Sequence, residues 1–395
     1  MRIMLLHNRY QQGGGEDAVV AAEADLLRRY GHQVLTEIVS NDAIDGFGAR
    51  VTSAILASFN PIMARNVGTV VDGFRPDVMH VHNFFPRLSP QVHRAVARRG
   101  IAVVQTLHNF RLMCAAATFF RDGKPCEACL GRIGVPAIRH ACYRGSRVGS
   151  AAVVAMQATA RVRNIWERDV DRFIALTEFA RQKFIEGGLS PSRIVVKPNF
   201  TDASGLSPRS RKHRGALFVG RLATEKGVRV LVDAWQRLPG HPLTVIGSGP
   251  LERELRGTAP PNVVFAGNQP PAVVADAMQR AALLVVPSLW YEGFPMVVIE
   301  AAASGLPVLA SRIGSLAEIV EPGVLGELFT AGSADELAAA AVDLLGRPEH
   351  IAVLSRRSRL RHAELYSAEV NIKAVERVYE AAILERGRSS SASNA

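Results

Sequence analysis

Two carboxylates stand eight positions apart in the segment PSLWYEGFPMVVIE, at Glu292 and Glu300. The apolar run before them predicts a strand, Gly293 and Phe294 a turn, and Pro295 the first turn of a helix that contains Glu300. The free backbone N–H groups of such a helix start bind phosphate. Glu300 would lie about 7 to 8 Å further along the helix axis. One carboxylate can therefore reach a sugar hydroxyl while the other accepts hydrogen bonds from a ribose diol.

Two cations follow an earlier predicted strand in the segment FVGRLATEKG. Gly220 would let the backbone approach a ligand closely. Arg221 and Lys226 stand near a predicted helix start, so together they would neutralise a diphosphate from two directions.

A further glycine turn, VIGSGP, contains Gly247, Ser248 and Gly249. A dinucleotide fingerprint needs glycine at position 252, where this chain has Glu252. The turn is a poor dinucleotide site, which disfavours an oxidoreductase. It is interpreted instead as a backbone contact for a nucleotide.

In these segments the sequence resembles the retaining nucleotide-sugar glycosyltransferases of family 4, which have the GT-B fold. The resemblance implies that Glu292 contacts the transferred sugar and Glu300 the nucleotide ribose. It also implies that Arg221 and Lys226 bind the donor diphosphate and stabilise it as it leaves. The resemblance covers nearly the whole chain, is most specific over residues 216–310, and weakens in the acceptor-facing loops.

Three consecutive glycines follow the first predicted strand: Gly13, Gly14 and Gly15. Their backbone can approach a ligand closely, and the resemblance implies a contact with the donor phosphates or the transferred sugar. By itself the segment is explained equally well as a flexible turn.

His108 ends another predicted strand, where its imidazole can hydrogen-bond a sugar hydroxyl. The resemblance implies that this histidine lies near the reacting centre, with a buried structural histidine as the alternative. His80 and His82 alternate on the preceding strand and are interpreted as structural. Asn199 follows the last strand of the first half, and the resemblance implies that it helps to line a cleft.

Four cysteines, Cys114, Cys126, Cys129 and Cys142, form a Cys-x11-Cys-x2-Cys-x12-Cys array. In a reducing cytoplasm this spacing favours a structural zinc site over disulfides. Free buried thiols remain the alternative.

Short apolar runs alternate with amphipathic stretches along most of the chain, which predicts parallel β-α-β units. The fold class is α/β, with two doubly wound Rossmann-like domains facing a cleft, as in GT-B proteins. Residues 1–200 form the acceptor-side domain and residues 215–365 the donor domain, joined by a linker at 201–214. A helix at 366–386 packs back on the first domain, and residues 387–395 are predicted to be disordered.

The strands that carry this prediction lie near residues 3–6, 34–37, 78–81, 102–106, 173–176 and 194–196, and then 216–219, 243–246, 263–265, 283–286 and 308–309. Helices are predicted at residues 16–29, 90–98, 228–237, 251–255, 272–281, 296–303 and 368–384. Ligand sites of such sheets lie at the carboxyl ends of the strands, where the motifs above are found.

The composition is globular, with 48% hydrophobic and 21% charged residues. No apolar run reaches the roughly 18 residues that mark a membrane span. The net charge of +11 is uneven, since residues 1–200 hold 26 Lys and Arg against 16 Asp and Glu. A basic half attracts anionic lipid, a phosphorylated substrate or nucleic acid. Nucleic acid is the least supported, because no RNA-binding motif with interleaved aromatics occurs, and a solvated basic surface without a partner stays open.

The first residues are typical of a buried strand rather than a signal peptide. The expected location is therefore the cytoplasm, with peripheral attachment at the inner membrane face. The candidate contacts with anionic lipid are Arg28, Arg29, Arg94, Arg98 and Arg99.

Together these features predict an enzyme that moves a hexose-type sugar from a UDP- or GDP-sugar to a glycan or lipid-linked glycan, in cell-surface polysaccharide synthesis. Catalysis is expected to require no cofactor. A GT-B-fold nucleotide-sugar epimerase would use the same donor pocket without an acceptor, and a non-catalytic sugar-nucleotide-binding protein is a further alternative. Incubation with the donor alone separates the epimerase from the transferase.

Overall fold

The computed structural model describes residues 1–9, 15–41, 46–202 and 214–393. The chain divides into two compact units. The first contains Met1–Thr118, Glu127–Pro198 and Asn371–Ala395, and the second contains Phe119–Cys126 and Asn199–Val370. Most of the predicted linker falls outside the described residues.

Six parallel strands form the sheet of the first unit. They are β1 (Arg2–Arg9), β2 (Gln33–Ser40), β3 (Val78–Asn83), β4 (Ala102–Leu107), β5 (Arg172–Ala175) and β6 (Ile194–Val196). Their order is β2-β1-β3-β4-β5-β6. Helices cover both faces of such a sheet, and every residue of β3 and β4 is accordingly buried.

The described helices of the first unit are α1 (Gly15–Arg29), α2 (Gly46–Leu56), α3 (Pro61–Phe74), α4 (Gln91–Ala97), α5 (Val135–Arg139), α6 (Arg147–Val162), α7 (Ile165–Arg168) and α8 (Glu178–Glu186). Three of them, α3, α6 and α8, have a side-chain cap. Asn60, Ser146 and Thr177 each accept a hydrogen bond from a backbone N–H in the first turn of the following helix.

A second six-stranded parallel sheet forms the centre of the second unit. Its strands are β7 (Ala216–Val219), β8 (Leu243–Ile246), β9 (Val263–Gly267), β10 (Leu283–Val286), β11 (Val308–Ser311) and β12 (Gly326–Phe329). Their order is β9-β8-β7-β10-β11-β12. The order reverses between β7 and β10, and open α/β sheets bind ligands at the carboxyl ends of the strands at such a reversal.

The described part of the second unit also contains seven α-helices. They are α9 (Val228–Trp235), α10 (Glu252–Thr258), α11 (Pro271–Arg280), α12 (Met296–Ser304), α13 (Gly314–Ile319), α14 (Ala334–Leu345) and α15 (Pro348–Leu365). A last helix, α16 (Ala368–Ser393), belongs to the first unit from Asn371 onward. Among the described helices, none has the length and hydropathy that crossing a bilayer would require.

The two faces of the second sheet are buried by different helices. Phe218 packs with Trp235 of α9 on one face, and Leu217 packs with Ile299 of α12 on the other. Successive residues of a strand point to opposite faces, so adjacent positions of β7 serve the two cores. Burying each side chain of this size contributes about 1.5 to 3 kcal/mol, which fixes β7 and its following loop in place.

Every predicted strand and helix is present, with ends that differ by a few residues. The prediction missed β12, because its sequence GELF has neither a continuous apolar run nor strict alternation. It also missed a two-stranded antiparallel hairpin that pairs Phe120–Arg121 with Lys124–Pro125. The disorder predicted for residues 387–395 differs from the structure as far as Ser393, where α16 ends, and residues 394–395 lie outside the described residues. Extending an existing helix costs far less than starting one.

Candidate functional site

The loops that follow β7 and β10 meet at the carboxyl edge of the second sheet. Leu289 N–H donates to the carbonyl oxygen of Glu225 over 2.8 Å, which joins the two loops. Gly227 has φ +68°, and a Cβ at this position would clash with the carbonyl oxygen of Pro287. Glycine is therefore required where the two loops come closest.

Lys226 and Glu292, one from each loop, form an ion pair. The Lys226 ammonium lies 2.8 Å from Oε1 and 3.0 Å from Oε2 of Glu292. Ser288 Oγ donates to Glu292 Oε1 over 2.6 Å. Burial raises the pKa of Glu292, but the charge and hydrogen bonds of Lys226 and the bond from Ser288 outweigh it, and the pKa lies below its ordinary value. The carboxylate is thus held ionised in a buried position.

Arg221 differs from Lys226 in its exposure. Its side chain is 57% exposed and pairs with Glu225 of the same loop. An exposed pair of this kind is weak, so the guanidinium can turn to an anionic ligand at little cost. Arg221 and Lys226 therefore place two positive charges beside the same loop.

The glycines after β7 and β8 serve the packing of the two turns. Gly220 N–H donates to Ile246 O over 3.0 Å, and Leu222 N–H donates to Ser248 O over 2.9 Å. A Cβ on Gly247 would clash with the carbonyl oxygen of Gly220, and one on Gly249 would clash with the backbone of Leu222. These glycines have a structural role in the described chain, and the nucleotide contact of Gly247, Ser248 and Gly249 stays a prediction.

Helix α12 starts next to Glu292 in the sequence, with Pro295 at its N-cap and without a side-chain cap. Gly293 and Phe294 form the turn before it, and the Phe294 ring lies 6.1 Å from that of Tyr366, which anchors the turn. Glu300 lies within α12, where burial raises the pKa of its carboxyl. Across the part of the chain that the structure describes, no side chain bonds to this carboxyl, so it can accept hydrogen bonds from a ligand.

In the first unit, His108 follows β4 and is 8% exposed. Its Nε2 lies 2.9 Å from Nδ1 of His82. Burial and the neighbouring His82 hold the pKa of His108 well below its ordinary value, so the ring is neutral near pH 7. His80 and His82, interpreted from the sequence as structural, are both buried, and their contacts are described below.

For the remaining predicted residues, the structure gives a position or a burial but no contact with the site. Gly15 is exposed as the first residue of α1, whereas Gly13 and Gly14 lie outside the described residues. Asn199 is buried at 4% exposure, immediately after the first unit ends at Pro198. Its contact with a ligand stays a prediction.

Two further residues of the first unit were not predicted. Glu16 lies in the first turn of α1, and Asn109 Nδ2 donates to its Oε1 over 2.9 Å. Burial raises the pKa of Glu16 to about 7, although Asn109 and Arg111 oppose this shift. The two residues are 93 positions apart in the sequence, so no local pattern could have connected them.

The structure does not assemble the predicted zinc site. In the described chain, no three of the four cysteines Cys114, Cys126, Cys129 and Cys142 place their sulfurs within 4.8 Å of one another. No disulfide links them. A metal would need their sulfurs a few ångströms apart. The group of described His, Cys, Asp and Glu side chains that meets such a criterion is Glu23, His80 and His82 instead.

Comparison with known proteins places this chain in a family. Residues 14–199 match the family model of a glycosyl transferase 4-like domain, and residues 213–347 match that of glycosyl transferases group 1. The D-inositol 3-phosphate glycosyltransferase of Acidothermus cellulolyticus is 31% identical over 78% of this chain and 68% of its own length. The chain therefore belongs to the glycosyltransferases built from these two domains.

Further relatives agree with this assignment. The phosphatidyl-myo-inositol mannosyltransferase of Mycolicibacterium smegmatis is 31% identical over 52% of this chain and 56% of its own length. The alignments to the first relatives span between 59% and 70% of the relatives' lengths. The solved structure of Anabaena HepE in complex with UDP-glucose has a TM-score of 0.66 at 18% identity, covering 96% of this chain and 100% of that one. At this identity the likeness shows the fold, which is the GT-B fold.

Proposed function

We propose that this protein is a retaining glycosyltransferase that moves a hexose-type sugar from a UDP- or GDP-sugar to a glycan or lipid-linked glycan acceptor. The observation that carries the proposal is the Lys226–Glu292 pair at the sheet reversal of the second unit, with the start of α12 beside it. Such a reversal is where α/β sheets bind nucleotides. The UDP-glucose complex of HepE supports a nucleotide-sugar donor for a protein of this fold.

The reaction begins as the bond between the anomeric carbon and the diphosphate oxygen breaks. Negative charge then grows on the diphosphate, where Arg221, Lys226 and the first N–H groups of α12 stabilise it. The acceptor hydroxyl attacks the anomeric carbon from the face that the diphosphate leaves, and the departing phosphate takes the hydroxyl proton. The products are the glycoside, with its anomeric configuration retained, and the nucleoside diphosphate.

Other side chains have positioning roles in this proposal. Glu292 accepts hydrogen bonds from the transferred sugar, and Glu300 accepts them from the ribose. His108 accepts a hydrogen bond from a sugar hydroxyl through its neutral ring. For Asn199, Gly13, Gly14 and Gly15, a contact with the donor is proposed from the family resemblance alone.

A panel of UDP- and GDP-sugars tests this proposal. The correct donor should raise the melting temperature and release nucleoside diphosphate slowly by hydrolysis in the absence of an acceptor. Appearance of an epimer with the donor alone would favour a nucleotide-sugar epimerase, and binding without any turnover would favour a non-catalytic binding protein. An inverted anomeric product would exclude retention.

The proposed acceptor is a lipid-linked glycan at the cytoplasmic face of a membrane. The predicted lipid contacts are largely neutralised, because Arg28, Arg94 and Arg99 pair with carboxylates. A different segment supports the proposal: residues 128–166 contain no Asp or Glu. The exposed side chains of this segment include both apolar and basic residues, namely Ile133, Val135, Val148, Arg132, Arg139, Arg144 and Arg147.

Vesicle flotation tests the membrane contact. The protein should float with anionic vesicles at low salt and be released as salt rises. Arg144→Gln with Arg147→Gln should weaken binding by about 2 kcal/mol, near 1 kcal/mol for each charge. The matched control, Arg29→Gln with Arg98→Gln, removes two exposed charges of the same unit and should change binding little. Equal behaviour of the two variants, or no flotation, would contradict this part of the proposal.

A further inference from the structure

A buried chain of charged and polar side chains runs through the first unit behind His108. It contains Glu23 of α1, His80 and His82 of β3, and Lys197 after β6. All four are between 0% and 3% exposed. Alternate residues of a strand share a face, so His80 and His82 both turn toward α1.

The distances make this chain continuous. The Lys197 ammonium donates to Glu23 Oε2 over 3.1 Å. Glu23 Oε1 lies 3.0 Å from His80 Nδ1, whose hydrogen-bond partner is the Tyr379 hydroxyl at 2.8 Å, and 3.4 Å from His82 Nε2. The contact of Glu23 with His82 is electrostatic, because neither of these two atoms makes a hydrogen bond in the described part of the chain. The other nitrogen of His82, Nδ1, lies 2.9 Å from Nε2 of His108. The Lys197 ammonium already neutralises Glu23, so these residues do not offer a cation the free carboxylate that it would need.

The charges of the chain determine where the protons lie. Burial raises the pKa of Glu23, but Lys197 and His80 outweigh it and hold the pKa well below its ordinary value, so Glu23 is a carboxylate. Burial, with His80, lowers the pKa of His82 to about 4, so His82 is neutral near pH 7. The neighbouring carboxylate repels a nitrogen lone pair and attracts an N–H, so the single N–H of His82 is on Nε2, on the side of Glu23. Nδ1 of His82 is then an acceptor, and His108 must donate to it from Nε2.

We propose that Glu23 is a positioning residue which, through His82, fixes His108 in the tautomer protonated at Nε2. Nδ1 of His108 then keeps a lone pair that accepts a hydrogen bond from a substrate hydroxyl. In the described part of the chain, the bond to His82 is the one side-chain hydrogen bond of His108. The inference rests on the proposed function, since it assumes that a sugar hydroxyl reaches His108.

The substitution Glu23→Gln should move the protons of His82 and His108 to the opposite ring nitrogens. Lys197 can only donate, so the amide oxygen faces Lys197 and the amide NH2 group faces the two histidines. His82 must then accept at Nε2 and donate from Nδ1 to His108. The proton of His108 moves to Nδ1, which removes the acceptor for the substrate.

Nitrogen-15 NMR of the histidine rings in the full chain measures the tautomer directly, with His108→Gln assigning the His108 signals. In the wild type, Nε2 of His108 should be protonated and Nδ1 unprotonated, and Glu23→Gln should exchange them. The turnover number should fall about tenfold, the cost of one lost hydrogen bond. The affinity for UDP or GDP should not change, because Arg221, Lys226 and Glu300, the side chains proposed to bind diphosphate and ribose, belong to the other unit. Glu23→Asp should recover the wild-type tautomer and part of the turnover.

Thr106→Val is the matched control. Thr106 bonds to Nε2 of His80 over 2.7 Å in the same buried region but does not lie on the path to His108. It should leave the tautomer of His108 unchanged. A wild-type His108 protonated at Nδ1 overturns the inference even if Glu23→Gln fails to fold, and so does a tautomer exchange without loss of turnover. Absence of transfer from every donor would contradict the proposed function instead, while the NMR signals still decide the tautomer.

Discussion

The Lys226 ammonium lies within hydrogen-bonding distance of both carboxylate oxygens of Glu292, at 2.8 and 3.0 Å. The two residues are 66 positions apart and belong to loops that follow neighbouring strands. The Glu292 carboxylate therefore pairs with the same Lys226 ammonium that the proposal assigns to the donor diphosphate. A bound diphosphate would compete for Lys226, and this competition couples donor binding to the position of Glu292.

Lys226→Ala should impair both stability and turnover. It leaves Glu292 buried without its counter-charge, which should cost about 2 kcal/mol because Lys226 is itself partly exposed. The double variant Lys226→Ala with Glu292→Gln should regain most of the lost stability but none of the turnover. Thermal and urea unfolding, with a transfer assay, measure the two effects. If the double variant is no more stable than the single one, the ion pair does not account for the loss.

Arg221→Ala should separate the two effects. The arginine is exposed, and its pair with Glu225 contributes at most about 1 kcal/mol, so the melting temperature should barely change. Turnover should fall roughly 100-fold, because the guanidinium stabilises charge that grows in the transition state. Arg229→Ala is the control, since it removes another exposed pair, with Glu254, outside the proposed site. Similar rates for the two variants would refute the role of Arg221.

Glu300→Gln should raise the stability of the fold at pH 7 and lower the affinity for the nucleotide at the same pH. The folded-state pKa of Glu300 is raised by burial, so ionisation destabilises the fold as pH rises through that pKa. The variant should gain stability relative to the wild type at pH 7 but not at pH 4. Its nucleotide affinity should be lower at pH 7, because the carboxylate accepts the ribose hydrogen bonds. Titration calorimetry with UDP and GDP measures the affinity of both proteins. If the variant binds each nucleotide as tightly as the wild type at pH 7 as well as at pH 4, Glu300 does not contact the ribose.

Glu16 should take up a proton near neutrality. Burial raises its pKa to about 7, above its ordinary 4.5, so the stabilising effect of the protonated form is complete below pH 4.5 and is lost as pH rises through 7. Glu16→Gln should remove this loss, and its melting temperature should vary less than that of the wild type between pH 5 and 8. Glu178→Gln is a control at an exposed glutamate whose pKa is lowered instead. An identical profile for Glu16→Gln and the wild type would contradict the raised pKa.

The sequence alone indicates the arrangement of those site residues that are close together in the chain. Glu292, Gly293 and Pro295 lie in one strand-turn-helix segment, so their spacing alone indicates their arrangement. Long-range partners could not be predicted this way: Glu23 and Lys197 are 174 positions apart, and only the tertiary fold brings their side chains together. The zinc prediction has the same weakness, since the spacing of four cysteines in the sequence does not determine whether their sulfurs come close together in the fold.

Gly227 has a consequence for the redesign of donor preference. Because no side chain fits between it and the Pro287 carbonyl oxygen, any loop exchanged into this position must keep glycine at residue 227. Recombination between relatives should therefore succeed when the incoming loop has glycine there and fail when it has another residue. Leu289, a partly buried residue of the loop after β10, is a better starting point for a library that seeks a new sugar.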